Sequence, residues 1–446
     1  MKILYLAHRI PYPPNKGDKI RSFNEVKYLS TSHEVHLGCL ADNPADLKYE
    51  SDLKKYCKKV SVIPFKASWA RLKSVGSLVY DKPLSVGYFH SKTLQDTVNQ
   101  HLSIENYDAI ICFSSTMAEY LYRSPPLRHR FSSNKALFKQ RAALNSEDSL
   151  SPHALGLRPL NLGLKPRLIM DFCDVDSDKW RQYSREARFP LSLLFSIENK
   201  LLLKYEKRIN QNFDHSVFVS QKEADLFSFL CPGARNLIVI PNGVDCEYFS
   251  PDKASTTSQF GTHDMKLATN DIRYTLLFTG AMNYYANVDG VRWFFEEIFP
   301  MIKKEYPNLQ VYVVGSDPHP KVQALDAREG VRVTGFVDDT RPFYRIADLC
   351  VVPLRLARGV QNKVLEAMAM GKAVICTRNA IEGIQAVPGQ HCVVEDTPVG
   401  FSKAVLDLLG NQNDRKRLGA RARDFVKANY DWSSNMKRFD SLFQTT

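Results

Sequence analysis

The sequence predicts an α/β protein built from doubly wound parallel sheets. Three observations carry that prediction. Short apolar runs alternate with helical stretches along most of the chain, as βα repeats do. Each half contains a strand that runs through a glycine-containing loop into a helix: KILYLA into HRIPYPPNKGDK, and YTLLFT into GAMNYYANVD. Further on, residues 348–377 read as strand, loop, helix, turn and strand. A chain of 446 residues has room for two or three such domains.

In chain order, the first strand is Lys2–Ala7, followed by a helix from about Asp18 to Leu29. Neither this loop nor any later one is G-x-G-x-x-G, so the nicotinamide-binding fingerprint is missing. Strands at Glu34–Leu40, Val60–Phe65 and Asp108–Phe113 are separated by helical stretches at Pro44–Cys57 and Ser91–Ser103. Trp69–Tyr88 is basic, aromatic and apolar together; it suits a helix packed on the sheet better than an interfacial one. Residues 124–166, rich in Ser, Pro and Leu with no sustained period, read as an insertion. Arg167–Asp178 is a strand ending in four carboxylates, Asp171, Asp174, Asp176 and Asp178. Acids at that end of a parallel strand lie where open α/β sheets bind ligands. Asp174 or Asp176 is expected to contact a sugar or act as a base toward a hydroxyl; Asp176 or Ser177 equally fits a helix cap. The spacing lacks the 12-residue frame and central glycine of a calcium loop, so no metal is expected. A long helix, Pro190–Phe213, a strand, His215–Ser220, and an S-x-x-E capping box at Ser220–Glu223 complete this half.

The second half starts near Pro241-Asn242-Gly243-Val244-Asp245. After a polar stretch, residues 249–273, come strand Tyr274–Thr279 and a helix Val291–Tyr306, which Asn287 or Asp289 is placed to cap. Strands Leu309–Gly315 and Val331–Phe336 follow, then the 348–377 unit. In that unit Arg355, Arg358 and Gly359 occupy the loop, and Gln361–Met370 has helical composition ending at Gly371, a C-terminal glycine. The helix start has unpaired amides and positive dipole character, which suit a phosphate; Arg358 and Lys363 would add charge-assisted contacts. Asn362 and Glu366 share a face, with Lys363 beside them. A carboxylate at Glu366 can accept hydrogen bonds from two vicinal hydroxyls, as on a ribose. Taken alone, the same helix fits a merely solvated polar face.

Composition narrows the classes. The nine cysteines form no C-x-x-C pair or Cys/His cluster, which points to reduced thiols in a cytoplasmic protein without structural zinc. The N-terminal apolar stretch is broken by His8 and Arg9 and is too short for a signal sequence, and no run of about 18 apolar residues would span a bilayer. Net charge is +12, with 35 Lys+Arg against 24 Asp+Glu in residues 1–240 and 25 against 24 in 241–446. The basic half fits an anionic membrane surface, which would place the protein peripherally on the inner face, or a lipid-pyrophosphate acceptor. A plain solvated face fits as well. With no basic tail or recognisable motif, nucleic acid is not expected as a partner.

Glu366-Ala367-Met368-Ala369-Met370-Gly371-Lys372-Ala373-Val374 resembles the nucleotide-sugar motif of family-four-like GT-B glycosyltransferases, where E-x7-E precedes A-M-A-x-G-x-P-V. Here Arg358 stands in place of the first glutamate and Ala373 in place of the proline. With HRIPYPPNKGDKIRSF, DFCDVDSDKW and TGAMNYYANVD, the chain is similar to bacterial sugar transferases of exosortase and exopolysaccharide systems. That resemblance implies two Rossmann-like domains facing a cleft: residues 1–235 on the acceptor side, 236–428 binding the donor, and 429–446 crossing back. It implies a retaining, metal-independent transfer from a nucleoside-diphosphate sugar to a glycan or lipid-linked glycan, with no cofactor. Gly17, flanked by Lys16 and Lys19, would admit the donor phosphates. Gly280 and Asn283 would line the cleft, and Gly335 and Val337 would meet the base. Gln361, Asn362, Lys363 and Glu366 would hold the diphosphate and ribose; Asp174, Asp176 and Arg358 are the catalytic candidates. Relatives carry an Arg and a Lys just after the strand preceding Gly280, and this chain has neither, which places the phosphate load on Arg358 and Lys363. A nucleotide-sugar epimerase of the same fold and a non-catalytic basic membrane-binding protein remain open alternatives.

Overall fold

The computed structural model describes the chain except residues 15–16, 66–69, 72–73, 75, 132–164, 253–273, 358 and 445–446. It forms two compact units, Met1–Ile240 with Arg438–Thr446, and Pro241–Lys437.

The first unit is a seven-stranded sheet of β1 (Lys2–Ala7), β2 (Glu34–Ala41), β3 (Lys59–Pro64), β4 (Ala109–Phe113), β5 (Arg167–Cys173), β6 (His215–Phe218) and β7 (Leu237–Val239). Its order is β3-β2-β1-β4-β5-β6-β7, and every ladder is parallel. The central strands are buried on both faces, which explains their unbroken apolar runs. Helices α1 (Gly17–Leu29), α2 (Asp176–Glu186) and α3 (Leu191–Asn212) belong to this unit.

Buried ion pairs organise it. Arg21 of α1 is 1% exposed. Its Nε and Nη2 donate to Asp171 Oδ2 at 2.9 and 2.6 Å, and its Nη1 donates to the Ile240 carbonyl at 2.8 Å. Glu25 Oε1 lies 2.9 Å from the same guanidinium, and Tyr5 Oη donates to Glu25 Oε2 at 2.6 Å. Burial opposes the Arg21 charge, but Asp171 and Glu25 hold its pKa above the usual value. Acids of α3 serve helix starts. Glu198 accepts from Leu84 N, Ser85 N and Ser85 Oγ at 2.6–2.9 Å. Glu206 accepts from Ser177 N and Oγ at 3.1 and 2.5 Å. Ser220 Oγ accepts from Glu223 N at 3.3 Å, as the capping box predicts. The Glu223 carboxylate, however, accepts from Val175 N at 2.7 Å, because a tertiary donor is within reach. In the 69–88 stretch, Val86 is buried and Tyr88 packs on Phe65, ring centroids 5.1 Å apart, while Tyr80 is 77% exposed. Most of the predicted insertion falls outside the described residues.

The second unit is a six-stranded sheet of β8 (Thr275–Thr279), β9 (Gln310–Val314), β10 (Val331–Val333), β11 (Leu349–Val352), β12 (Ala373–Cys376) and β13 (Val393–Val394), ordered β10-β9-β8-β11-β12-β13, all parallel. Helix α4 (Tyr285–Trp293) follows β8, and α5 (Asn362–Ala369) joins β11 to β12. Leu365, Met368 and Ala369 of α5 are fully buried, as the stripe predicts. Gly371 takes φ +65°, the left-handed conformation that ends such helices. The unit boundaries fall at 240/241 and 437/438, against 235/236 and 428/429 in the sequence analysis. Helix Trp432–Met436 stays with the second unit because Val244 N donates to Tyr430 O at 2.8 Å and Asn435 Nδ2 to Asn242 O at 3.2 Å. Residues from Arg438 onward join the first, where Arg167 Nη1 donates to Leu442 O at 2.9 Å.

Removing one charge of the Arg21–Asp171 pair strands the other in the core. Asp171→Asn is expected to cost about 3–5 kcal/mol, seen as an earlier urea transition. A loss below about 1 kcal/mol would mean that the guanidinium is satisfied without Asp171.

Candidate active site

Strand order fixes where ligand chemistry is possible in the second unit. The chain leaves β8 toward β9 and leaves β11 toward β12, in opposite directions along the sheet. The C-terminal ends of β8 and β11 therefore border a topological switch point, the crevice where open α/β sheets bind ligands. Thr279 and Gly280 end β8, and α5 starts beside them.

Lys363, on the first turn of α5, crosses to that strand end. Its Nζ lies 2.5 Å from Asn287 Oδ1 and 4.6 Å from the centroid of the Phe278 ring. Asn287 Nδ2 donates to Ala281 O at 2.8 Å, which turns the amide oxygen toward the lysine. Burial lowers the Lys363 ammonium to a pKa of about 7, against an upward pull from Glu366. Gly280 makes room for this arrangement. A Cβ there would stand 2.8 Å from Asn287 Nδ2 and 2.9 Å from Lys363 Nζ, and φ is +151°.

Glu366 stands one turn further along α5. Tyr344 Oη donates to Glu366 Oε2 at 3.0 Å and lies 2.9 Å from Thr279 Oγ1. Burial pushes the Glu366 carboxyl above its usual range, with Tyr344 and Lys363 pulling it back. At the helix start Gln361 is extended, and its side chain makes no cap hydrogen bond. Asn362 Oδ1 is buried with no hydrogen-bond partner among the described residues. A helix start without a side-chain cap from Gln361, a desolvated cation, a buried acceptor unpartnered among the described residues and a fixed carboxylate thus share one end of one helix.

Gly335 and Val337 lie past β10 on the same edge of the sheet; Gly335 takes φ +69° and accepts from Gly315 N at 3.2 Å, and Val337 is half-buried. Asn283 is exposed on the loop after β8. Arg358 lies outside the described residues. Asn287 and Asp289 are not caps: α4 starts earlier, at Tyr285, which puts both inside the helix. Asp289 is held by Arg355 at 2.5 and 3.0 Å. A separate concavity of about 290 Å³ is lined by Arg355, Thr377, Arg378, Asn379 and Asp396. Arg378 there faces Asp396 at 3.5 Å, so both arginines already have carboxylate partners.

In the first unit Gly17 is the first residue of α1, and a Cβ there would meet nothing within 4 Å, so space does not require the glycine. Lys19 departs from the expected phosphate role. It is 4% exposed, with Nζ 2.6 Å from Asp46 Oδ2, so its charge is already neutralised. Asp174 and Asp176 are half-buried just past β5. Asp176 is the first residue of α2, and the cap position before it is Val175. The four aspartates do not converge, because Asp171 is taken by Arg21 and Asp178 by Arg181 at 2.5 Å. Tyr344, Thr279 and Phe278 also belong to the site around Lys363 and Glu366 and carry no signal of it in the sequence. They come from other elements, and no local pattern near Glu366 points to them.

Residues 273–411 match the family described as glycosyl transferases group 1, and that stretch contains Gly280, Lys363 and Glu366. The whole chain superimposes on the Anabaena protein HepE in complex with UDP and glucose, with a TM-score of 0.63, 14% identity and full coverage of both chains. The chain is a GT-B glycosyltransferase. This glycosyltransferase is 23% identical over 461 residues to an uncharacterized 44.6 kDa protein in the cps region of Klebsiella pneumoniae, covering 99% of each. It is 25% identical over 245 residues to a phosphatidyl-myo-inositol mannosyltransferase of Propionibacterium freudenreichii, 53% of this chain and 56% of that one.

Gly280→Ala would force a Cβ against the Lys363 ammonium in a strained backbone conformation. It is expected to cost about 1–3 kcal/mol, read as a lowered melting temperature of the purified enzyme. An unchanged melting temperature would contradict the close approach.

Proposed function

We propose that the enzyme transfers a sugar from a nucleoside-diphosphate sugar to a hydroxyl of a glycan or lipid-linked glycan in cell-surface or exopolysaccharide synthesis, with retention of anomeric configuration. The observation that carries this reading is the Lys363 ammonium, desolvated at the switch point beside an uncapped helix start, one turn from a carboxylate fixed by Tyr344. The diphosphate would lie across the α5 amides and Lys363, and Glu366 would accept from the ribose hydroxyls. Gly335 and Val337 would face the base through their backbone groups, and Asn283 would border the donor. Arg358, where relatives have a glutamate, would add charge at the departing phosphate. Asp174 and Asp176 would serve the acceptor hydroxyl, and Gly17 would admit the phosphates. Negative charge grows on the leaving diphosphate as the glycosidic bond breaks. Preorganised cations and amides stabilise it without a metal in this scheme. The UDP in the HepE structures and the cps context of the Klebsiella relative support the donor class and the pathway type.

Two measurements test this. Isothermal titration with UDP and GDP is expected to show Lys363→Ala and Glu366→Ala each weakening the preferred nucleotide by about 1.5–3 kcal/mol, the worth of a charge-assisted contact. Unchanged affinity in both variants would contradict the assignment. The second concerns pH. In the free enzyme Lys363 loses its proton near pH 7, and a bound diphosphate favours the charged form. Binding above pH 7 must therefore take up a proton, and affinity should fall by up to about ten-fold per pH unit as the pH rises. Lys363→Ala should flatten that slope; a flat wild-type profile between pH 7 and 9 would refute a lysine poised in this way.

A further inference from the structure

Helix α3 of the first unit is 22 residues long, about 33 Å at the usual rise. One of its faces is packed, with Glu198, Leu202, Tyr205, Glu206 and Ile209 buried. The opposite face follows the spacing i, i+4, i+7, i+11 and i+14 through Leu193, Ile197, Lys200, Lys204 and Lys207, so these residues form one stripe. The stripe is divided along its length. At the N-terminal end Leu191 is 52%, Leu193 55% and Ile197 37% exposed, and the turn before the helix adds Phe189 at 80%. At the C-terminal end come Lys200, Lys204, Lys207 and Arg208, exposed or half-buried. The helix's two acids, Glu198 and Glu206, are both buried and serve helix starts inside the unit. No carboxylate of α3 therefore offsets the four cations at the surface.

We propose that this face of α3, with the Phe189 turn, docks the enzyme onto the surface of a bilayer containing anionic lipids. Four large apolar side chains grouped at one end of an exposed helix are unfavourable in water and suit the boundary between headgroups and acyl chains. The cations next to them suit lipid phosphates, and the lysine stems extend along the interface while their ammonium groups stay at headgroup level. Charge complementarity selects the anionic leaflet over a second copy of the same face, since two copies would bring eight cations together. The inference gives the basic half of the chain a specific contact surface. It shares no residue with the donor site, which lies on the second unit.

The test is co-sedimentation of the full chain with vesicles of phosphatidylcholine alone or mixed equally with phosphatidylglycerol. Binding is expected on the mixed vesicles and not on phosphatidylcholine, and it should weaken with salt. Each cation near an anionic leaflet is worth about five-fold, so Lys200→Gln with Lys204→Gln and Lys207→Gln should weaken binding about a hundred-fold. Leu191→Gln with Leu193→Gln should weaken it ten-fold or more and leave the salt dependence in place. Nucleotide titration and the melting temperature of both variants should match wild type, which separates this result from misfolding and from any failure of the donor-site proposal. Absence of wild-type binding, or equal binding by both variants, would overturn the proposal. So would an apolar variant that changes the sedimentation coefficient from dimer to monomer with vesicle binding intact, which would make the face a contact between copies.

Discussion

A lysine ammonium held out of water at the end of a β-strand is the constraint on which the second unit's site depends. Lys363 reaches from α5 across to the end of β8, between the Asn287 amide oxygen and the Phe278 ring. A desolvated cation of this kind is costly unless something stabilises it. Asn287 supplies a neutral acceptor and Glu366 a nearby carboxylate, and the pKa still falls to about 7. The protein thus keeps a cation that is only marginally charged where an anion would complete it. Gly280 is part of the same constraint, because any side chain at that position would fill the space the ammonium occupies.

This geometry bears on the departure from the family pattern. The family resemblance implies cationic residues directly after the β8 strand, and this chain has Gly280-Ala281-Met282 there. The structure brings a cation to the same strand end from a different element, with the first turn of α5 as its base. Tyr344 plays the matching part for the carboxylate. It is buried, spans Thr279 and Glu366, and holds the acid that the proposed ribose contact needs. Both charged groups are therefore positioned by neutral partners, and those partners leave the charges available to a ligand.

Much of this was legible in the sequence. The apolar runs and glycine punctuation located the β11–α5–β12 unit, with ends shifted by about a residue or two. The one-face relation of Asn362, Lys363 and Glu366 also followed from helical period alone. Tertiary partners were not legible. Lys19 reads as a free cation beside a glycine, yet Asp46, distant in sequence, neutralises it. Asp171 reads as one of four clustered acids, yet Arg21 draws it into the core. Asn287 fits a cap by position, but α4 starts two residues before it and frees its side chain for Lys363. In each case a residue type has several local uses, and long-range packing selects among them.

The account's central claim is that Lys363 is only partly protonated near pH 7 in the free enzyme and becomes a full cation against a diphosphate. Its titration can be followed directly by NMR of the lysine side-chain carbon and nitrogen, assigned with Lys363→Arg, in the free and UDP-saturated enzyme. The account predicts a midpoint near pH 7 that moves toward the ordinary lysine value of about 10.4 when nucleotide is bound. A midpoint already near that ordinary value in the free enzyme, and unmoved by nucleotide, would contradict it.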